Sequence, residues 1–353
     1  MVVNMMPEIT NTFVYNQASW LLDKGVDVCF FANMLSDKKE AMHDLVKRYD
    51  FLSKTLPSLN KNNLQLFDIV YFQFGFLACD MIEKIRNLGF TGKIFTAFRG
   101  RDISMVLPKS KSIRETIVKN GDVFLPVSQD FKQRLISMGF PENRIHVIRS
   151  ALDLKKFPYR LNFPDPQKPI QILSVGRLIE KKGHDTSIRA IRLVVDRYPN
   201  LLFKIIGEGG ELEYLKLLIT TLHLENNVEL LGPQSHNVVI NTLADSHIFI
   251  LPSCRSEYRD EEGIPNSLKE AMATGLPVVS TYHAGIPELI DNGVTGWLVK
   301  EKDADALAEK IIYLIEHQNT WKKMCLAARK KIESEYDRNI VNEELYQLFL
   351  QNL

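Results

Sequence analysis

Cysteine is scarce in this chain, and the little there is lies scattered. Cys29, Cys79, Cys254 and Cys325 form no CxxC pair in 353 residues, which argues against a zinc site or a disulfide framework and for reduced thiols in a cytoplasmic protein. Neither sign of charge dominates. The 44 basic and 43 acidic residues leave a net +1, too little to attract nucleic acid or to repel acidic substrates, so no nucleic-acid partner is expected. No apolar run approaches the roughly 20 residues that span a bilayer. The opening MVVNMMPEITNTF lacks the basic-then-apolar order of a secretion signal. His146, His184, His223 and His247 show no metal-ligand spacing and read as structural or surface residues; no metal is expected. No nucleophile triad can be argued for Ser128 or Ser253. Short repeats and low-complexity tracts are missing too.

What the chain does have is a βα rhythm, and its length favours two domains. Strand patterns fall at 1–5, 26–32, 68–72, 93–97 and 123–127. Helical patterns fall at 13–24, 78–88, 112–119 and 129–138, with Ser128 placed to cap the last. Between 154 and 171 four prolines, Pro158, Pro164, Pro166 and Pro169, break any period, and 156–170 reads as an interdomain linker. A second series follows, with strands at 170–175, 202–206, 228–231, 248–251, 277–280 and 297–299. Its helices fall at 184–197, 211–222, 238–243, 303–316, 320–335 and 339–349. The division is a first domain at 1–155, a second at 171–335 and a closing segment at 336–353. Alternating βα units argue for an α/β fold with parallel, doubly wound sheets.

The unusual residues sit where strands end. After Val175 come Gly176-Arg177-Leu178 and Lys181-Lys182-Gly183; after Ile206, Gly207-Glu208-Gly209-Gly210; after Leu231, Gly232-Pro233-Gln234; after Ser280, His283-Ala284-Gly285. In open parallel sheets, ligands bind outside the carboxyl ends of the strands. The glycine run suggests a dinucleotide fingerprint, but its third glycine position holds Leu212.

The stretch from Pro252 to Thr281 is the most distinctive. Five acidic residues lie between Glu257 and Glu270, and a short helix stops at Gly275. Gly263 and Pro265 keep Glu262 and Glu270 off one unbroken helix, so Glu262 belongs to the loop and Glu270 to the first turns of the helix. Pro265, Asn266 and Ser267 lead into that helix, whose free N–H groups suit an anion. Two carboxylates for hydroxyls beside a row of donors suit a sugar joined to a phosphate. Lys181 reads as a solvated neighbour of Lys182.

At these residues the chain resembles the retaining GT-B glycosyltransferases of family 4, closely over 170–299 and loosely before that. The family's paired glutamates, with seven residues between them, match Glu262 and Glu270. Its GRL…KG signature matches Gly176-Arg177-Leu178 with Lys182-Gly183, its G-x-G turn Gly207-Glu208-Gly209, and its GIPE segment Gly285-Ile286-Pro287-Glu288. The first half is most similar to the branch that builds bacterial surface polysaccharides, colanic acid and exopolysaccharide types, with Thr12-Phe13 as its TF loop and Phe74-Gly75 as its FG.

The resemblance implies two Rossmann-like domains facing across a cleft, with the last helix crossing back to the first domain. The first domain would bind the acceptor and the second the donor. Arg177 and Lys182 would hold the donor diphosphate and stabilise the leaving group without a metal. Glu262 would bind the sugar hydroxyls, and backbone around Gly263, Ile264, Pro265, Asn266 and Ser267 the sugar and phosphate. Glu270 would bind the ribose, and Gly207, Pro233 and Gln234 the base. The implied function is a metal-independent, retaining hexosyl transfer from a UDP- or GDP-sugar to a saccharide, in polysaccharide or lipopolysaccharide assembly, with a lipid-linked oligosaccharide as acceptor. The nucleotide sugar is a substrate, and no cofactor is implied.

Two departures bear on the first domain. Where many relatives carry His before a Gly, this chain has Arg99-Gly100-Arg101-Asp102; Arg stays charged, and Arg99 is expected to bind an anionic acceptor or donor phosphate with Asp102 orienting it. The relatives' glycine pair in the first loop is replaced by Thr10-Asn11-Thr12. Lys109, Lys111, Arg114 and Lys119 form a basic helix edge, read as a solvated face or as a peripheral contact with anionic lipid on the inner face of the cell membrane. Two other functions stay open on the sequence: a GT-B epimerase acting on the donor sugar, and a non-catalytic sugar-nucleotide-binding partner subunit.

Overall fold

The computed structural model describes residues 1–7, 12–36 and 44–353. The backbone divides into two compact units, Met1–Asp153 with Glu335–Leu353, and Leu154–Ser334.

In the first unit the elements run β1 (Val2–Met6), α1 (Thr12–Asp23), β2 (Phe30–Leu35), α2 (Asp44–Arg48), β3 (Thr55–Leu56), α3 (Lys61–Leu64), β4 (Ile69–Phe72), α4 (Gly75–Asn87), β5 (Lys93–Phe98), α5 (Lys111–Asn120), β6 (Val123–Pro126) and α6 (Gln129–Ser137). A wide turn, Asp102–Val106, joins β5 to the α5 region. Among the described residues the sheet is parallel with order β3-β2-β1-β4-β5-β6. Its central strands are apolar on both faces: Ile94 and Phe98 of β5 pack on one side, Phe95 and Ala97 on the other. That pattern is what helices on both faces of a parallel sheet require.

The second unit runs β7 (Ile170–Val175), α7 (His184–Val195), β8 (Leu201–Ile206), α8 (Leu212–Thr221), β9 (Val228–Leu230), α9 (His236–Asp245), β10 (Ile248–Ile250), α10 (Asn266–Thr274), β11 (Val278–Thr281), α11 (Ile286–Leu289), β12 (Trp297–Val299), α12 (Ala304–Glu316) and α13 (Trp321–Glu335). Its order is β12-β11-β10-β7-β8-β9, again parallel. Numbered within each unit, both sheets read 3-2-1-4-5-6, the doubly wound order, with the reversal of direction between the first and fourth strands. Those neighbours are β1 and β4 in the first unit and β7 and β10 in the second.

The closing helix α14 (Arg338–Asn352) packs in the first unit. Phe349 meets Phe95 edge-on with ring centroids 4.9 Å apart, Trp20 Nε1 donates to Asn339 Oδ1 at 3.2 Å, and Lys24 pairs with Glu343 at 2.8 Å. Among the described residues no helix is long and apolar enough to cross a membrane.

Some elements differ from the sequence expectation. The strand expected at 26–32 begins at Phe30, because the Val26 N–H is bonded back to Leu21 O at the end of α1. The short elements α2, β3 and α3 carry too few residues for any period to show. The stretch expected as a linker packs on the second unit: Phe163 stacks on Trp321, and the Arg160 N–H donates to Thr274 O at 2.7 Å. Ser128 caps α6 as expected, accepting from the Phe131 N–H. Thr10 and Asn11 of the first loop lie outside the described residues.

Candidate active site

The second unit brings its motif residues together where the first and fourth strands of the sheet lie side by side. β7 ends at Val175, and the Gly176 and Leu178 N–H groups donate to Ile206 O and Glu208 O at 2.9 and 2.8 Å. Gly207 makes this approach feasible. Its φ is +151°, and a Cβ there would lie 1.9 Å from the Gly176 carbonyl oxygen. Gly183, at φ +67°, does the same for the lysine turn; a Cβ would stand 2.1 Å from Pro252 O, just past β10. The lysines are thereby pressed against the acidic loop.

Glu262 sits between them. Its Oε1 is 3.0 Å from Lys182 Nζ and 3.5 Å from Lys181 Nζ. Lys181 was expected to be solvated, but its side chain is only 8% exposed, paired to Asp260 at 3.1 Å and donating to Glu261 O at 3.2 Å. The reason is the strand order. Residues 181 and 260 are 79 apart in sequence, but β7 lies beside β10, so the loops leaving them meet. Burial works against the charged form of Glu262, yet Lys182 and Lys181 outweigh it and hold the carboxyl down at about 2. Burial lowers the Lys182 pKa; Glu262 opposes this, while Lys181 and Arg177 add repulsion. Arg177 is exposed, and among the described residues its guanidinium has no hydrogen-bond or ion-pair partner.

The acidic loop is fixed from behind by His283, which the sequence places just past a strand end but gives no role. The Glu262 N–H donates to His283 Nε2 at 3.1 Å, and His283 Nδ1 lies 2.7 Å from Glu301 Oε1. Since Nε2 accepts, the proton sits on Nδ1 and points at Glu301. The other oxygen of Glu301 accepts the Arg255 N–H at 2.8 Å, so one carboxylate ties both ends of this arrangement. His184, expected to be structural, is fully buried beside β7, with Nδ1 3.4 Å from Ser174 Oγ and Nε2 3.2 Å from Arg177 O. Burial, with Lys182 adding to it, holds its pKa down at about 4.

Gly263 and Pro265 are buried, while Ile264, Asn266 and Ser267 are half-buried. α10 starts after Pro265 with no side-chain cap, so its first-turn N–H groups are not occupied by a capping side chain. Glu270 lies on the second turn. Burial, opposed by Lys269 and Lys156, pushes its carboxyl up to about 7, and among the described residues that carboxyl has no hydrogen-bond partner. Gly207 N–H donates to Gly232 O at 3.0 Å, which sets Gly207 beside the exposed Pro233 and Gln234. Gln234 is folded back, donating from Nε2 to Leu231 O at 2.7 Å.

Thr12, Arg99 and Asp102 belong to the first unit. Thr12 opens α1, and Phe13 beside it meets Phe74 edge-on at 6.0 Å. Asp102 does not orient the Arg99 side chain. Its carboxylate accepts the backbone N–H groups of Gly75 (2.9 Å), Arg99 (3.1 Å), Gly100 (2.9 Å) and Ile103 (3.0 Å), and so fixes the loop instead. The basic edge is partly engaged: Arg114 donates to Leu107 O, and Lys111 pairs with Glu115 at 3.6 Å.

Residues 158–331 match the family model described as glycosyl transferases group 1. The chain is 37% identical over 298 residues to the amylovoran biosynthesis glycosyltransferase AmsK of Erwinia amylovora, covering 83% of this chain and 73% of that one. It is 38% identical over 269 residues to the putative colanic acid biosynthesis glycosyltransferase WcaL of Escherichia coli K12, covering 75% of this chain and 66% of that one. Two solved structures share the fold. A glycosyltransferase of Rickettsia africae superposes with a TM-score of 0.80 at 21% identity, over 99% of this chain and 97% of that one. Anabaena HepE, crystallised with UDP and glucose, superposes with a TM-score of 0.79 at 18% identity, over 100% and 99%. The architecture is therefore GT-B, and the chain belongs to the glycosyl transferases group 1 family and is a glycosyltransferase.

Proposed function

We propose that the chain moves a hexose from a UDP- or GDP-sugar to a saccharide acceptor with retention of anomeric configuration. The acceptor is a lipid-linked oligosaccharide, and the setting is assembly of a surface polysaccharide at the cytoplasmic face of the membrane. The names of AmsK and WcaL, relatives in amylovoran and colanic acid biosynthesis, support the setting. The observation that carries the reading is the cluster of Arg177, Lys181 and Lys182 at the sheet edge. Three cations converge on few carboxylates, one of them is exposed without a partner, and burial and mutual repulsion both act on Lys182. A diphosphate supplies the missing negative charge.

In this reading the bond between the anomeric carbon and the β-phosphate oxygen breaks, and its electron pair leaves on the diphosphate, where Arg177 and Lys182 stabilise it. The acceptor hydroxyl forms the new bond from the same face, and its proton passes to the departing phosphate oxygen. Glu262 and the backbone of Gly263 to Ser267 hold the sugar, with the first turn of α10 offering N–H donors to the phosphate. Glu270, which lacks a donor of its own, accepts from the ribose hydroxyls. Gly207, Pro233 and Gln234 flank the base.

A thermal-shift panel of UDP- and GDP-sugars tests this, since a bound donor raises the unfolding midpoint by mass action. One donor is expected to shift the wild type. Lys182→Ala is expected to bind it roughly ten- to hundredfold more weakly, the worth of one charge-assisted hydrogen bond. A panel without any shift, or an unchanged affinity in Lys182→Ala, refutes the reading.

A further inference from the structure

Arg99 stands directly after β5, at the carboxyl edge of the first sheet, in a setting unusual for a cation. Its Nε donates to Gln73 O at 3.0 Å, its Nη2 to Gln73 Oε1 at 3.0 Å, and its Nη1 to Ser150 Oγ at 3.0 Å. The guanidinium lies 4.3 Å from the Phe13 ring centroid. All three acceptors are neutral, and among the described residues Arg99 has no ion-pair partner. Asp102, the carboxylate on the same loop, is engaged by four backbone N–H groups. A guanidinium carries five N–H donors, so these acceptors leave it donor capacity to spare, with the Tyr71 hydroxyl alongside.

This arrangement is costly as a purely structural device. Arginine cannot shed its proton, so burial without a counter-ion is uncompensated. Burial does work against the charge here, relieved only in part by Tyr71 and Asp102. The supporting residues are themselves held. Gln73 is fully buried, its Nε2 donates to Gln17 Oε1 at 3.0 Å, and its N–H donates to Val2 O at 3.1 Å. That fixes which way its amide faces and leaves the oxygen for Arg99. The Tyr71 hydroxyl is buried beside the guanidinium, and its pKa is raised by burial, with Arg99 pulling it down. Gln73 follows β4, which neighbours β1 at the point where the strand order reverses. A preorganised cation with open donors at such a point is built for a ligand.

We infer that Arg99, held by Gln73 and Ser150, is the anion-recognition point of the first unit and takes an acidic group of the acceptor, either a sugar carboxylate or a sugar-linked phosphate. The fork suits either, because both offer two oxygens to paired N–H groups. This rests on the reading of the chain as a transferase with a saccharide acceptor. It adds that the acceptor is selected for negative charge, by a side chain that plays no part in donor binding.

Ligand-observed NMR on the full chain tests it, with glucuronic acid, glucose 1-phosphate and neutral glucose as probes. At least one acidic probe is expected to bind the wild type more tightly than glucose does. Arg99→Gln is expected to weaken that binding about tenfold or more, the loss of a charged hydrogen bond; Lys182→Ala is expected to leave glucuronic acid binding unchanged and to remove only a separate donor-site share of glucose 1-phosphate binding. Binding of glucuronic acid points to an acidic sugar as the acceptor's anionic group; binding of glucose 1-phosphate alone points to a phosphate-bearing one. Both support the site. If Arg99→Gln fails to fold, Ser150→Ala serves instead: it removes one support of the guanidinium and is expected to weaken the acidic probe about threefold. The inference is overturned if no acidic probe outbinds glucose, if Arg99→Gln or its substitute binds as the wild type does, or if binding depends on Lys182 alone. Failure of the donor reading shows separately, as nucleotide-sugar binding indifferent to Lys182.

Discussion

Glu262→Gln removes one negative charge from between two enclosed ammoniums and changes the shape of the side chain very little. The carboxyl is held down from an ordinary 4.5 to about 2. That drop of 2.5 units corresponds to about 3 kcal/mol of preference for the charged form, at ~1.36 kcal/mol per unit. The side chain is 12% exposed, so solvent screening does little to reduce this. Lys181 keeps Asp260 in the variant, whereas Lys182 loses its one carboxylate partner. The variant is therefore expected to lose about 3 kcal/mol of stability at pH 7, as breaking a buried pair does. The pH dependence has a definite sign. A depressed carboxyl pKa stabilises the folded state above 4.5, and that contribution disappears as pH falls from about 4.5 towards 2.

Urea unfolding followed by tryptophan emission reads this directly, because Trp297 and Trp321 both lie in the second unit. The gap between wild type and variant should be widest at pH 7 and shrink between pH 5 and pH 3. A gap under about 1 kcal/mol at pH 7, or one that does not narrow on acidification, would refute the reasoning, since a surface pair has that worth. A second readout comes from pyrophosphate. Lys182 freed of Glu262 has only an added anion to pair with, so pyrophosphate should raise the unfolding midpoint more in the variant than in the wild type. Hexose transfer should fall in the same protein, so tighter anion binding would accompany lost turnover.

Two further predictions use the same site. Glu270, pushed up to about 7 by burial, holds a proton in the folded state that the unfolded chain releases near 4.5, so stability falls as pH rises through this window. Glu270→Gln should be more stable than wild type at pH 8, by up to about 3 kcal/mol from 2.5 units, and equal to it near pH 4; no difference at pH 8 in paired denaturation curves would count against it. Glu211, also raised to about 7 by burial and by Asp185 and Glu180, titrates in both proteins and cancels in the comparison. Glu301→Gln cannot accept from both His283 Nδ1–H and the Arg255 N–H, so one support of the acidic loop is lost. Steady-state kinetics should show kcat lowered about tenfold with donor KM changed much less, the mark of a misplaced reacting group; unchanged kcat would remove His283 and Glu301 from any positioning role.

The fold was legible where burial leaves a mark on composition. Strands enclosed on both faces, such as Ile94 to Phe98 and Ile248 to Ile250, read as largely apolar runs, the first ending at the charged Arg99 and the second running on to Pro252. Short elements such as Thr55–Leu56 were not legible, because two residues carry no period and are placed by the neighbours they pair with. At the site, spacing found Glu262 and Glu270 but not the state of either. One carboxylate is occupied by lysines from a distant loop, and the other is enclosed without a donor. His283 stood out only as a residue just past a strand end, a position that says nothing of a ring that accepts an N–H 21 residues away and donates to a carboxylate 18 away.

Lys181 is the instructive miss. A lysine pair beside a turn is ordinarily solvated, and nothing local says otherwise. Yet the doubly wound order carries a pairing rule: the first and fourth strands of each half are neighbours, so the loops that leave them meet. In the second half those loops hold Lys181-Lys182 and Asp260-Glu261-Glu262, opposite in charge, and the lysines meet Asp260 and Glu262 as ion pairs. In the first half a different neighbouring pair, the fourth and fifth strands, brings loops together: Gln73 follows the fourth, and its carbonyl and amide oxygens hold the guanidinium that follows the fifth. Charge complementarity between the first and fourth loops is therefore a signal that strand counting alone exposes, and it would have moved Lys181 from the surface into the site.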